Sequence, residues 1–445
     1  MTISAGDTAW VLASAALVLL MTPGLAFFYG GLVRGKSVVN MMMMSFMTIG
    51  IVSILWVVYG YAWAFGDSGS SLIGSFSWSR LDTLVGGFPN NGGDYPIPHL
   101  AFVAFQLMFA IITPALISGA IADRAKFLAW CVFVPLWVSL VYFPVAHWVF
   151  DFGTKAADGT VTGAGWLAKL GLLDFAGGTA VHINAGAAGL ALALVLGRRV
   201  GFRKDPMRPH NLPLVLIGAG LLWFGWFGFN AGSSLGANDT AALALLNTQV
   251  ATGAALIGWV LVERIRDGHA TSVGAASGAV AGLVAITPAC AYIAPWAAVL
   301  LGLVAGVVCA YAVNLKTKLG FDDSLDVVGV HLFGGLVGCL LIGFFATTKV
   351  NALGADGVFN GGSWGLLGKQ ALGSLTVAGF SFIVTLLLAM AIDKTIGFRV
   401  SADEEREGID LVEHGEIAYA RQVVVPDVAD NAVEHAEQSM FHHGD

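Results

Sequence analysis

Two histidines in this sequence sit among apolar neighbours. His182 stands in TAVHINAG, residues 179–186, with no lysine or arginine between Lys169 and Arg198. His331 stands in DVVGVHLFGGLVG, beside Val330, Leu332 and Phe333. A neutral imidazole carries one donor and one acceptor nitrogen. Two such rings facing each other can pass a proton between them, or hydrogen-bond a small uncharged species that both donates and accepts. The plainer alternative is that each ring is a buried structural hydrogen bonder. Matching positions in two halves of the chain favour a pathway, because polar groups inside a bilayer are costly and usually face a bundle interior. Carboxylates precede both rings: Asp174 by eight residues and Asp326 by five. On a helix these intervals span about 12 Å and about 8 Å.

The surroundings follow from composition. Of 445 residues, 57% are hydrophobic and 11% charged, and the mean hydropathy is +0.77; soluble domains carry about 25% charge. The chain therefore reads as an all-α membrane protein. A spanning helix needs about 20 apolar residues, and eleven segments qualify: 9–30, 41–66, 99–121, 127–150, 176–197, 212–232, 241–262, 271–290, 294–314, 326–347 and 366–392. His182 falls in the fifth and His331 in the tenth. Five intervening spans invert the second half relative to the first, as in an inverted five-plus-five repeat, so the two rings enter from opposite faces and can meet near the midplane.

Eleven spans put the termini on opposite sides. With the N-terminus outside, the inner loops hold thirteen Lys and Arg residues, among them Arg34, Arg124, Arg199 and Lys316, against five in the outer loops. The positive-inside rule then sets the C-terminus in the cytoplasm. No basic residue precedes Arg34, so the first apolar run lacks the charged n-region of a secretory signal and reads as a permanent span. Two regions result: a transmembrane domain over 1–392 and an acidic cytoplasmic tail over 393–445. The tail holds thirteen acidic and four basic residues, a balance of −9 within the chain total of −7, which leaves +2 for the rest. It reads as a solvated extension or a docking element, and no basic face for nucleic acid is evident.

The remaining chemistry-bearing residues take structural readings. Cys131, Cys290, Cys309 and Cys339 lack CxxC spacing and read as small core residues. Met41 to Met44 are consecutive and point all round a helix, as packing residues do. No metal spacing is present, the C-terminal FHHGD being too isolated. Gly274, Gly278 and Gly282 recur every fourth residue and admit a neighbouring helix backbone; GGLVG at 334–338 can do the same. Asp174 sits where the N-cap of the fifth span is expected, and Asp322, Asp323 and Asp326 are expected to cap the tenth.

AFQLMFAIITPALISGA, DFAGGTAVHINAG, PHNLPLVLIGAGLLWFGWFGFNAGS, GAVAGLVAITPACAYI, DVVGVHLFGGLVG and GFRVSADEEREGIDLVEHGE, in that order, resemble the ammonium transporter (Amt, methylammonium permease, Rhesus) superfamily, in its bacterial Amt branch. The resemblance runs from FFYGGLVR to the tail. It implies a homotrimer in the cytoplasmic membrane, with a pore in each protomer and no cofactor. His182 and His331 look like its twin pore histidines, Phe109 and Phe229 like its stacked phenyl gate, Ser233 like its outer hydroxyl acceptor and Asp174 like its buried acid.

The implied activity is recruitment of ammonium at an outer aromatic site, deprotonation, and passage of ammonia through a hydrophobic twin-histidine pore with net proton or charge transfer; methylammonium would serve as an analogue. Alternatives are a net-neutral ammonia channel and a sensor with residual conduction. An intramembrane enzyme is disfavoured, for no nucleophile or metal set accompanies the histidines. One departure stands out. Where the family carries a tryptophan at the end of the fourth span, this chain reads HWVFDFG, with Phe150 in the matching place and a longer loop behind it. Trp148 or Trp166 is the candidate to restore an indole at the outer site. The tail resembles the segment through which family members meet PII-type signal proteins.

Overall fold

The computed structural model describes residues 1–67, 69–76 and 78–419. The outer part of the expected tail, 420–445, with its FHHGD end, lies outside the described residues. Eleven principal helices run in chain order: α1 (Ala5–Leu32), α2 (Val38–Phe65), α3 (His99–Ile121), α4 (Phe127–Phe150), α5 (Gly178–Leu196), α6 (Leu212–Gly232), α7 (Asp239–Asp267), α8 (Ser272–Ile286), α9 (Pro295–Leu319), α10 (Val328–Phe345) and α11 (Trp364–Thr395). Among the described residues, ten of them are long and apolar enough to cross a membrane. The exception is α8. Its 15 residues rise about 22 Å, less than the roughly 30 Å hydrocarbon core, and it stops at Ile286 instead of the expected 290. Pro288 has no backbone N–H to continue the i→i−4 ladder, and Thr287 already bonds back only three residues, to Val284 O, so the helix closes there.

Side chains satisfy several helix starts. Ser4, Asn211, Asn238, Thr271 and Ser363 each accept a backbone N–H of the first turn of α1, α6, α7, α8 and α11. The face carrying Gly274, Gly278 and Gly282 meets α7: a Cβ at Gly278 would lie 2.7 Å from Trp259 Cβ, and one at Gly282 would lie 2.6 Å from Ala255 Cβ. Small residues there let the backbones approach, as their spacing suggests. Cys290, Cys309 and Cys339 are buried free thiols, and Cys131 is half-buried.

At the end of the bundle carrying Arg34 and Arg199, a buried charge network ties loops and tail together. Arg199 grips the Asp322 carboxylate with two nitrogens, each at 2.9 Å, and reaches Asp123 at 3.0 Å. Burial alone would raise the Asp322 carboxyl, but its bonds to Arg199 and the charges of Arg199 and Arg124 outweigh this and hold it below the usual range. Glu405, on a short helix Ala402–Glu407 that opens with a capping box at Ser401, joins Arg34 at 3.2 Å and Arg399 at 2.9 Å. Asp410 accepts from the N–H groups of Val39 and Asn40, capping α2. The residues from Ser401 to His414 are thus docked against the bundle.

Asp322, Asp323 and Asp326 divide their roles, contrary to the expectation of three caps. Asp323 alone caps α10, accepting from Val327 N at 3.1 Å and Val328 N at 2.7 Å. Asp322 is Arg199's partner. Asp326 lies too close to the helix start to reach back; it has φ of 64° and pairs with Lys316 at 2.6 Å.

Candidate functional site

Asp174 organises the start of α5. Its Oδ1 accepts from Gly177 N (2.8 Å) and Gly178 N (2.7 Å), and its Oδ2 from Thr179 N (2.8 Å) and Ala180 N (3.1 Å). Four otherwise unpaired donors share one carboxylate, which is why the chain can begin a helix inside a dry interior. Gly177 turns with φ of +123°, a value open to glycine. Asp174 thus caps this helix start as its position in the sequence leads one to expect, and it is 5% exposed.

The first turns of α5 and α10 are π-helical, over Gly178–Ile183 and Val328–Leu332. Each π-turn carries one of the histidines, a frequent location for functional side chains. The counterpart of Asp174 is Asp323 and not Asp326: the separations 182 − 174 and 331 − 323 are both eight, and each carboxylate caps its π-turn. His182 and His331 face one another, with Nδ1 atoms 3.3 Å apart, ring centroids 5.3 Å apart and planes inclined by 19°. One ring donates and the other accepts. Both are buried, at 1% and 3% exposure.

Aromatic rings line the approach to His182. Phe109 and Phe229 pack at 4.4 Å between centroids, and Phe229 lies 6.0 Å from the His182 ring. Trp226 stacks on His182 at 5.3 Å while its Nε1 donates to Thr287 Oγ1. Sequence reading passed over Trp226, although it lies three residues before Phe229 and so shares its helix face. Beyond the phenyl pair is a pocket of about 70 Å³ lined by Phe109, Phe150, Ser233, Gln106, Tyr95 and Phe175 among others. Ser233 Oγ donates to Phe229 O at 2.8 Å, which leaves its lone pairs to accept.

A profile of the Ammonium Transporter Family matches residues 9–419. The chain belongs to the ammonium transporter family. It is therefore a multi-pass membrane transporter and not an enzyme. An ammonium transporter of Mycobacterium bovis is 55% identical over 437 residues, covering 93% of this chain and 90% of that protein. One of Bacillus subtilis is 47% identical over 419 residues, with 93% and 98% covered. Among solved structures, Candida albicans Mep2 superposes with a TM-score of 0.81 at 34% identity, covering 94% of this chain and 91% of that one. A structure titled Sensor Amt Protein gives 0.82 at 29% identity, covering 92% and 98%.

Within this ammonium transporter fold, the residues singled out in the sequence do not all converge. Phe109, Phe150 and Ser233 share the pocket beyond the phenyl pair. Trp148 does not: its Nε1 donates to Leu72 O at 2.7 Å and its ring packs on Phe380 and Trp166, so neither tryptophan lines that pocket. Neighbouring positions on one helix end point to different faces, and Phe150 takes the face that looks inward. Gln106 and Phe175 stand inside the motifs AFQLMFAIITPALISGA and DFAGGTAVHINAG without a role assigned to them there, and Tyr95 lies outside every quoted motif. Beyond His331 a second cavity, about 190 Å³, is lined by Tyr29, Ser277, Lys316, Asp326 and His331 among others. It lies at the opposite end of the bundle from the pocket of Phe109 and Ser233, between the end of α1 and the loop before α6.

Proposed function

We propose that this protein recruits ammonium at the pocket of Phe109, Phe150 and Ser233, removes a proton there, and passes ammonia between His182 and His331 with net transfer of a proton or charge. The observation that carries the reading is the alignment of that pocket, the Phe109–Phe229 pair and the two imidazoles in contact series. Ammonium donates hydrogen bonds and is drawn to aromatic faces, a desolvated cation–π contact contributing about 2 kcal/mol. Potassium can occupy the same kind of site but cannot leave a proton behind, so deprotonation is the selective step. Past the phenyl pair the lining is Trp226, Phe229 and imidazole, where a retained charge would cost at least about 3 kcal/mol. His182 Nε2 is buried without a protein partner among the described residues, which suits a group that meets a passing molecule. Asp174, fixed by four backbone donors, keeps the outer end negative and aids proton removal.

The same reading takes eleven spans, α8 included, as two inverted halves of five plus a last helix, the N-terminus outside and the C-terminus in the cytoplasm. Support comes from the equal spacing of Asp174 and Asp323 from their histidines and from the docking of residues 401–414 at the arginine-rich end. Assembly as a homotrimer in the cytoplasmic membrane and docking of a PII-type signal protein on the tail belong to the proposal as well. Purified protein in liposomes on a solid-supported membrane tests the central claim. Ammonium pulses are expected to give currents that His182→Ala and Asp174→Ala reduce at least tenfold. Uptake of methylammonium without current would replace proton-coupled passage with net-neutral conduction, and binding without either would leave a sensor.

A further inference from the structure

The inner cavity ends on a cation that the chain itself supplies. Lys316 Nζ lies 2.6 Å from Asp326 Oδ1 and donates to the backbone carbonyl of Asp323 at 3.0 Å, at the mouth of the cavity whose far end is His331. A lysine head is a primary alkylammonium: three N–H donors and one positive charge, the chemistry of methylammonium on a four-carbon tether. Asp326 is held with φ of 64° and its carbonyl accepts from Val330 N, so carboxylate and helix start are fixed relative to each other. Both side chains of the pair are partly exposed, at 21% and 34%, so solvent screens the pair in part and another cation can exchange for the lysine, while Asp326 Oδ1 itself is buried.

We propose that Asp326 and the Asp323 carbonyl form a cation site at the inner mouth, with Lys316 as its tethered occupant, so that free ammonium on that side must displace a lysine to bind. This rests on the transport reading above and adds what sets saturation from inside. A flexible tether of this length presents its head at an effective concentration on the order of millimolar, so inner ammonium competes only in that range. A passive pore obeys detailed balance; the lysine therefore cannot make conduction one-way. What it changes is the concentration at which the inner face saturates.

Right-side-out and inside-out membrane vesicles from cells lacking other ammonium transporters separate the two faces, with labelled methylammonium as probe. Saturable uptake by the wild-type protein in right-side-out vesicles tests transport itself, independently of the lysine. Lys316→Met is expected to lower the half-saturating concentration in inside-out vesicles at least fivefold, and by a larger factor than in right-side-out vesicles. Lys316→Gln should act likewise, which keeps the test decisive where one variant is poorly folded. Asp326→Asn should raise that concentration. Lys318→Met removes an equal charge two residues away, outside the cavity, and should match wild type. The inference is overturned if both Lys316 variants leave inside-out saturation where it was, or if Lys318→Met shifts it as far, since general surface charge would then explain the effect.

Discussion

Gly186 lies against the backbone of Leu332, so close that a Cβ on it would stand 2.7 Å from Leu332 Cα. Gly335 repeats the relation with Ile183: its Cβ would stand 2.9 Å from Ile183 Cγ1 and 3.3 Å from Ile183 N. Each glycine follows its own histidine by four residues, and each partner follows the other histidine by one. The 3.3 Å approach of the imidazoles therefore depends on two places where side chains are absent. Gly186→Ala is expected to force α5 and α10 apart, at about 1–3 kcal/mol of overpacking, and to reduce methylammonium uptake more than tenfold. Gly220→Ala, with no atom within 4 Å of the added carbon, serves as control. Unchanged uptake by Gly186→Ala would show that the close approach is dispensable.

Asp174 and Asp323 offer a comparison that separates capping from proton chemistry. An asparagine at 174 presents one acceptor oxygen to donors that now share two. Orphaned N–H groups cost about 1–3 kcal/mol each, so Asp174→Asn should lower the unfolding temperature measurably. Asp323→Asn, with two donors to lose, should do the same to a smaller degree. If Asp174 also serves proton removal, its variant loses more than ten times the transport that Asp323→Asn loses when the two are compared at matched folded amounts. Transport losses that simply track the two stability losses would reduce Asp174 to a cap.

These comparisons also mark what was legible in the sequence. Long apolar runs marked all eleven principal helices, ten of them long enough to span a membrane, because burial in a bilayer demands continuous hydrophobicity whatever the packing. The histidines were legible through their surroundings. The partner of Asp174 was not: counting straight helix rise selected Asp326, whereas the chain opens α10 with a π-turn capped from three residues further back. Trp148 departs from expectation for a related reason. Proximity in sequence to Phe150 says nothing of which helix face each occupies, and only the loop carrying Leu72 decides that Trp148 turns away. Gln106 and Tyr95 reach the outer pocket through tertiary packing that no local pattern encodes.

On the proposed reading, Phe150, which lines the pocket with Phe109 and Ser233, sets its attraction for cations. A phenyl face holds a cation less strongly than an indole face, and the neighbouring tryptophans are engaged elsewhere. Phe150→Trp is expected to strengthen the pocket by about 0.5–1 kcal/mol, a two- to fivefold lower concentration of ammonium for half-inhibition of methylammonium uptake. The pocket is small, about 70 Å³, so Phe150→Tyr is a useful companion that alters polarity with little change of ring size. No gain with tryptophan would mean that recruitment does not depend on this ring.

Glu405 ties the segment from Ser401 to His414 to the helical bundle. Its carboxylate is buried and accepts from Arg34 and Arg399 and from the backbone N–H of Val200. Arg34 in turn reaches Asp123, which pairs with Arg199, whose other partner Asp322 adjoins the cap of α10. A chain of ion pairs thus runs from the tail to the helix that carries His331. Glu405→Ala leaves Arg399 without its carboxylate and Arg34 with Asp123 alone; partly exposed as both arginines are, the loss falls near the lower end of the roughly 3–5 kcal/mol typical of broken buried pairs. The segment from Ser401 to His414 should then detach, and protease added to inside-out vesicles should cleave it at least ten times faster than in the wild type. Cleavage at the wild-type rate would place the anchorage of the tail in Asp410 and its contacts with α2 instead, and Asp410→Asn would then be the variant that frees it.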